Sequence, residues 1–313
     1  MLIYFKLLLT AMFWGGTFAA GRIVSQHLSP YSAAFLRFCI ASACLLYLVR
    51  KFEGSLPRVN RFQVIQVILL GMTGVFAYNV FFFTGLQTVQ AGRAAVIVAT
   101  NPIFIALLAA LLFKEKLSVY KISGILLSVS GAVLAITRGQ PFHLLSQVIS
   151  PGDLAIAGCV ASWAVYSILG KYSMTSLSPH AAVAYSCVAG TLALFFPAAS
   201  QDLFTNITSL PLTVWGCLIY LGYFGTVLGF TWYYQGVKSI GPSRASVFIN
   251  FVPLFAIAGG FLVLGEPVDP SLIAGAAMVS TGVYLTNRAI RSRKNLPKTG
   301  TEQWNQTKLQ EKL

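Results

Sequence analysis

Apolar runs of about 20 residues recur from one end of this sequence to the other, each long enough to cross a hydrocarbon core of about 30 Å. No other feature narrows the fold as much. Inside such a core every backbone N–H and C=O needs an internal partner, which leaves helices or a closed barrel. Barrel strands alternate in polarity over about ten residues. Runs such as 64–83 and 94–113 are longer and do not alternate, so they read as helices. Composition agrees: the chain is 56% hydrophobic and 10% charged, where a soluble domain carries roughly a quarter charged residues. The expected spans are 3–24, 31–50, 62–86, 92–113, 119–137, 152–171, 180–199, 211–236, 243–264 and 270–289. The expectation is an all-α integral membrane protein with ten transmembrane helices.

A formal net charge of +14 would suggest a nucleic-acid partner in a soluble protein. In a membrane protein the placement of the cations decides instead. With the N-terminus in the cytoplasm, seventeen Lys and Arg fall on inner connections and the tail; three (Arg22, Arg93 and Arg138) fall outside. Both termini are therefore expected in the cytoplasm, with the bilayer and a small solute as partners and no nucleic acid. The five cysteines all fall inside expected spans without a CxxC pair, so no disulfide, metal site or cofactor is expected.

The sequence also repeats. A shift of 149 residues lays Trp14 on Trp163, Gly21 on Gly170, and Ser29-Pro30 on Ser178-Pro179. A shift of 151 lays Gly71 on Gly222, Gly85 on Gly236, Arg93 on Arg244, Pro102 on Pro253, Glu115 on Glu266 and Gly131 on Gly282. The chain reads as two copies of a five-helix unit, 1–137 and 152–289, with an outer linker at 138–151 and a basic cytoplasmic tail at 290–313. Five is odd, so the second copy enters the membrane from the opposite side. Inverted repeats of this kind are a recurring carrier architecture, with a solute site between the halves near the midplane. The first run has a counterpart that is internal and cannot be cleaved, so it is kept as a span rather than a secretion signal.

Several short motifs sit in this frame: Phe13, Trp14 and Gly15; Phe35, Leu36, Arg37 and Phe38; Thr100, Asn101 and Pro102; the run from Lys114 to Ser118; Val252 and Pro253; and Leu264 to Pro267. Their order and duplication resemble the EamA family of the drug/metabolite transporter superfamily, over nearly everything from Leu7 to Arg288. The resemblance implies a ten-helix fold whose central cavity is lined by helices 1, 3, 4, 6, 8 and 9. It also implies transport of amino acids, other metabolites or drugs, often outward, and a bacterial inner-membrane location.

Individual residues sharpen this. Pro102 and Pro253 lie deep in the expected helices 4 and 9, where each would free the carbonyl four residues back, at Val98 and Ile249. Broken helices mark carrier sites. Asn101 and Asn250 beside them, and Asn79 on helix 3, are candidate solute contacts. Trp14, Tyr78, Phe82, Trp163, Tyr166 and Tyr233 are candidates for an aromatic wall suited to bulky or flat solutes. Each could equally be packing. Arg37 is the one ionisable residue well inside a span; the resemblance implies a helix outside the cavity, so it is expected to brace its neighbours. Glu115 and Glu266, at equivalent helix ends, are expected to cap and pair. No carboxylate lies in mid-span, which argues against proton coupling of the small-multidrug-pump type.

Three readings follow: a metabolite permease acting outward as a monomer or homodimer; an exchanger of phosphorylated or nucleotide-type solutes, which would want clustered cations; and a membrane-embedded enzyme or receptor. The last is disfavoured because His27, His143 and His180 all lie in loops or at helix ends.

Overall fold

The computed structural model describes residues 1–113, 119–137, 139, 150–173, 177–201, 203–240 and 246–294. Glu115, Arg138, Arg244, most of the linker and the tail beyond 294 lie outside the described residues. Among the described residues the structure is helical and has no strand.

Among the described residues the longer helices are numbered in chain order, the single turn Leu203–Asn206 apart. They are α1 (Leu2–Ser25), α2 (Pro30–Glu53), α3 (Arg61–Leu86), a divided α4 (Ala91–Val98 and Asn101–Phe113) and α5 (Val119–Ile136). The second half has α6 (Pro151–Ser173), α7 (Pro179–Ser200), α8 (Leu212–Ile240 in three consecutive segments), α9 (Val252–Leu264, led in by the 3-10 turn Ser246–Phe251) and α10 (Pro270–Lys294). Among the described residues six helices are long and apolar enough to cross a membrane: Leu2–Ser25, Pro30–Glu53, Arg61–Leu86, Pro151–Gly170, His180–Ser200 and Leu212–Tyr233. Four apolar stretches are shorter: Ala91–Ile105, Ile122–Ile136, Phe248–Leu264 and Pro270–Leu285.

Local chemistry sets the ends. Ser29 and Ser178 each precede a proline at the first helical position, and their hydroxyls accept the amides of Ser32 and Ala181 at 3.3 and 3.1 Å. Such a cap satisfies one of the four free donors of a helix start. Asn60 and Gln63 form a reciprocal capping box on α3. Gly54 and Gly265 close α2 and α9 with φ of 77° and 64°, a region open to glycine at little cost.

The prolines act differently from the sequence expectation. Neither sits in the middle of a continuous α-helix. Pro102 is the second residue of the second segment of α4, and Pro253 is the second residue of α9. A proline there gives up an amide that would have no partner anyway, so it starts a helix instead of kinking one. The kink expected at each is a restart. Ahead of Pro102 the chain turns at Ala99 and Thr100, where the Thr100 hydroxyl donates to the Ile97 carbonyl at 2.7 Å.

Two π-helical stretches, Gly71–Ala77 in α3 and Tyr220–Leu228 in α8, were not foreseen. They occupy corresponding places under the 151-residue shift. Here the rods approach closely. A Cβ at Gly71 would press on the Ser186 carbonyl oxygen and the Ala189 Cβ of α7, and one at Gly222 on the Arg37 carbonyl oxygen and the Ile40 Cβ of α2. Ser186 and Ala189 lie 149 residues beyond Arg37 and Ile40. Gly85 meets Ile156 and Gly236 meets Leu7 in the same relation. Small residues permit such backbone approach, which drives helix association where lipid is as apolar as the side chains.

The rods pair accordingly: α2 on α7, α5 on α10, α1 on α8 and α9, and α6 on α3 and α4. The first two pairs join rods that the sequence shifts of 149 and 151 residues lay on each other. At their centres the Ser42 and Thr191 hydroxyls meet at 3.2 Å, and the Ser128 hydroxyl donates to the Val279 carbonyl at 3.0 Å. One buried cluster runs through α1, α2, α3, α6, α7 and α8. Large apolar side chains such as Leu111, Phe196, Leu212 and Leu262 face outward, as a lipid-facing surface requires.

Candidate functional site

The rods enclose a cavity of about 690 Å³, within the usual range of small-molecule sites, roughly 300–1,000 Å³. Trp14, Tyr78, Asn79, Phe82, Asn101, Trp163, Tyr166, Tyr233 and Asn250 all stand on its wall, and so does Pro102. Pro253 is buried in the first turn of α9 and is not on the wall. The lining also draws on α2, α7 and α10 through Arg37, Phe38, Val183, Ser186, Cys187 and Val283, beyond the six helices that the family resemblance implies.

The aromatic side chains form a linked series rather than separate patches. Tyr233 lies 5.4 Å from Trp14, Trp14 5.8 Å from Phe230, and Phe230 6.2 Å from Trp163. Trp163 continues to Tyr78 at 5.4 Å, which stacks on Phe82 at 6.1 Å and 14°, and Phe82 meets Phe18 at 5.3 Å. The series crosses α8, α1, α6 and α3, so both halves of the chain contribute. Trp14 Nε1 donates to the Gly225 carbonyl at 2.9 Å, which pins its ring against α8. A π-helical carbonyl has a displaced partner, and here the indole supplies one.

Polar groups are few. Arg37 is 8% exposed; its Nη1 donates to Asn79 Oδ1 at 3.0 Å and its Nη2 to Thr226 Oγ1 at 3.3 Å. Arg37 therefore does tie α2 to α3 and α8, and it also stands on the cavity wall rather than outside it. Asn101 Oδ1 is buried and has no partner. Among the described residues no Asp, Glu, His or Lys lines the cavity, and none form a cluster that could hold a metal ion.

Ion pairs join the helices at one end of the bundle. Arg22, near the end of α1, pairs through Nε with Glu266 at 2.9 Å and donates Nη1 to the Leu86 and Val89 carbonyls at 3.0 and 2.6 Å. Glu266 in turn accepts the Ala91 amide at 2.9 and 3.1 Å, capping α4. Close by in sequence, Arg93 meets Asp153 at 2.5 Å, and Asp153 also accepts from the Ser150 hydroxyl at 2.6 Å. Arg22 and Arg93 thus serve protein carboxylates.

Sequence reasoning passed over Thr17, Phe18, Ser186, Cys187, Thr226 and Phe230 as wall residues. Two signals were present: Thr17 and Phe18 lie a turn beyond Trp14, and Ser186 is the repeat counterpart of Arg37.

The EamA-like transporter family matches residues 1–137 and 150–288. The chain is 32% identical to the uncharacterized transporter YyaM of Bacillus subtilis (strain 168), covering 96% of this chain and 97% of that protein. It is 29% identical to a probable terminal-alkyne amino-acid exporter of Streptantibioticus cattleyicolor, covering 92% of this chain and 94% of that one. A solved crystal structure at 20% identity superposes with a TM-score of 0.63 over 92% of this chain and 98% of its own, a likeness of fold.

Proposed function

The chain belongs to the EamA-like transporter family and is a multi-pass membrane transporter; on that premise we propose that it is a permease for an amino acid or related small organic solute, moved outward through the aromatic cavity by alternating access. One observation carries the reading: a cavity of about 690 Å³, walled by linked aromatic rings from both halves, with only a few polar groups. Such a wall gains by dispersion and stacking with an apolar side chain, while isolated amides orient a polar head. The relative named as a probable amino-acid exporter supports the solute class and direction.

The mechanism rests on two inverted five-helix units, ten spans, both termini in the cytoplasm of a bacterial inner-membrane protein. Support for the units comes from glycine contacts that recur under the 149- and 151-residue shifts, from hydroxyl contacts between positions those shifts relate, and from a family match in two parts. Two similar halves in opposite orientation can close either end at similar energy, so a modest preference for solute can drive the exchange. An exchanger of phosphorylated solutes would want several cations on the wall, and among the described residues Arg37 stands there alone.

The test is flux in liposomes of purified protein against a panel of amino acids and analogues. Trp163→Ala and Tyr78→Ala should each lower the rate for a bulky solute at least tenfold while yield and melting temperature hold. A single cysteine at position 163 should react with a water-soluble thiol reagent, and the transported solute should slow that reaction. Normal transport with an unreactive cysteine there would remove the cavity from the pathway.

A further inference from the structure

We infer that Arg37 is the anchor for a carboxylate on the transported solute, so that this permease selects monoanionic or zwitterionic carboxylic acids over their neutral amides. The inference rests on the reading that the aromatic cavity is the solute site.

The guanidinium is held in place without being neutralised. Its two partners are an amide and a hydroxyl, both uncharged. Each has already committed its own hydrogen to a π-helical segment: Asn79 Nδ2 donates to the Val75 carbonyl at 2.8 Å, and Thr226 Oγ1 to the Leu221 carbonyl at 3.0 Å. What remains on each is an oxygen that accepts from Arg37. The two π stretches, at corresponding places in the two halves, thereby fix one cation between α3 and α8. The rings of Phe38 and Phe82 lie 5.2 and 6.0 Å from its central carbon and shield it further.

Two of the five N–H groups are used on these neutral acceptors. Nε is buried without a partner, and Nη2 makes only the longer of the two bonds. Nε and Nη2 form one edge of the planar fork, the side-on geometry in which arginine takes both oxygens of a carboxylate. A brace alone would not leave a buried N–H on that edge without a partner. It would not need a charge either, since a charged side chain deep in a membrane is costly. No carboxylate of the protein stands on the wall to offset this, among the described residues. An anionic solute group does.

The charge count selects carboxylate over phosphate. A phosphate monoester carries a charge of about −1.5 to −2 near neutral pH. The wall supplies a single positive charge, and the repeat counterpart of Arg37 is Ser186, which adds none. A second orphaned group fits the same solute: buried Asn101 Oδ1 is an acceptor that lacks a donor, which an amine or amide N–H of the solute would provide.

The experiment measures binding of matched pairs, N-acetyl amino acids and their primary amides with phenylalanine, leucine and alanine side chains, by tryptophan fluorescence of purified wild type, Arg37→Lys and Arg37→Gln. Wild type should bind at least one acid tenfold or more tighter than its amide. Arg37→Lys should retain part of that ratio, and Arg37→Gln should reduce it to within twofold. Equal binding of acid and amide by wild type, a measurement that needs no variant, overturns the anchor and leaves the cavity reading standing. Retention of the full ratio in Arg37→Gln also overturns it. If no acid or amide perturbs the fluorescence, the cavity reading falls and the anchor falls with it.

Discussion

Glu266 offers a way to loosen one end of the bundle without touching the cavity. Its carboxylate makes a 2.9 Å contact with Arg22 Nε and accepts the Ala91 amide, with side chains 25% and 11% exposed for Arg22 and Glu266. Glu266→Gln keeps the shape and an oxygen for Ala91 but removes the charge. A hydrogen bond to a charged group contributes about 1.5–3 kcal/mol and a neutral one about 1, so the loss is about 0.5–2 kcal/mol. The pair is little exposed, so screening by solvent reduces this less than at an open surface. Such a loss should raise the population with that end open roughly twofold to thirtyfold. The reporter is a single cysteine at Ala95, which is buried on the cavity wall one turn into α4 from the cap. In a background without other cysteines, a membrane-impermeant thiol reagent is applied to each face in turn. Glu266→Gln should speed modification from one face by about tenfold. Arg22→Gln should do the same, and the double variant should be no faster than the quicker single one, because both remove one contact. An unchanged rate in both single variants, or additive acceleration, would show that this pair does not hold the end shut.

Gly222 and Gly216 lie on the same helix and should respond in opposite ways. A Cβ at Gly222 would meet the Arg37 carbonyl oxygen at 2.9 Å, whereas one at Gly216 meets nothing within 4 Å; Gly222→Leu should cost about 1–3 kcal/mol by overpacking, and Gly216→Ala should gain up to about 1 kcal/mol from helix propensity, both read as melting in detergent. A reporter active only in the cytoplasm should work when fused after Leu313 and stay silent after Asp202; the reverse would overturn the orientation and the inversion with it. With no carboxylate or histidine on the described cavity wall, the liposome flux should vary less than about twofold between pH 6 and pH 8 and need no imposed proton gradient, because ordinary carboxylates stay ionised throughout that range; uncoupler-sensitive accumulation would contradict this.

Periodicity and repetition carried much of the architecture. Apolar runs declare membrane helices because the lipid core leaves the backbone no other partner, and this requirement acts on local sequence. The shift that lays Gly71 on Gly222 marks both positions in the sequence, and the bundle makes each a close approach between rods. Trp14, Tyr78 and Trp163 were legible as candidates for the same reason: bulky aromatics on rods that a repeat sets around a centre.

Other features depended on packing between distant segments. Pro102 and Pro253 announce a disturbed helix, but whether a proline kinks one helix or starts another depends on neighbours that satisfy the turn before it. The π stretches arise where α3 meets α7 and α8 meets α2, and no local propensity marks them. Arg37 is the clearest case. Its sequence position says only that a costly charge lies within the membrane, and a bracing arginine would look the same. Its place on the cavity wall comes from Asn79 and Thr226, which lie 42 and 189 residues away and were brought together by the bundle, and the same packing leaves its buried Nε without a partner.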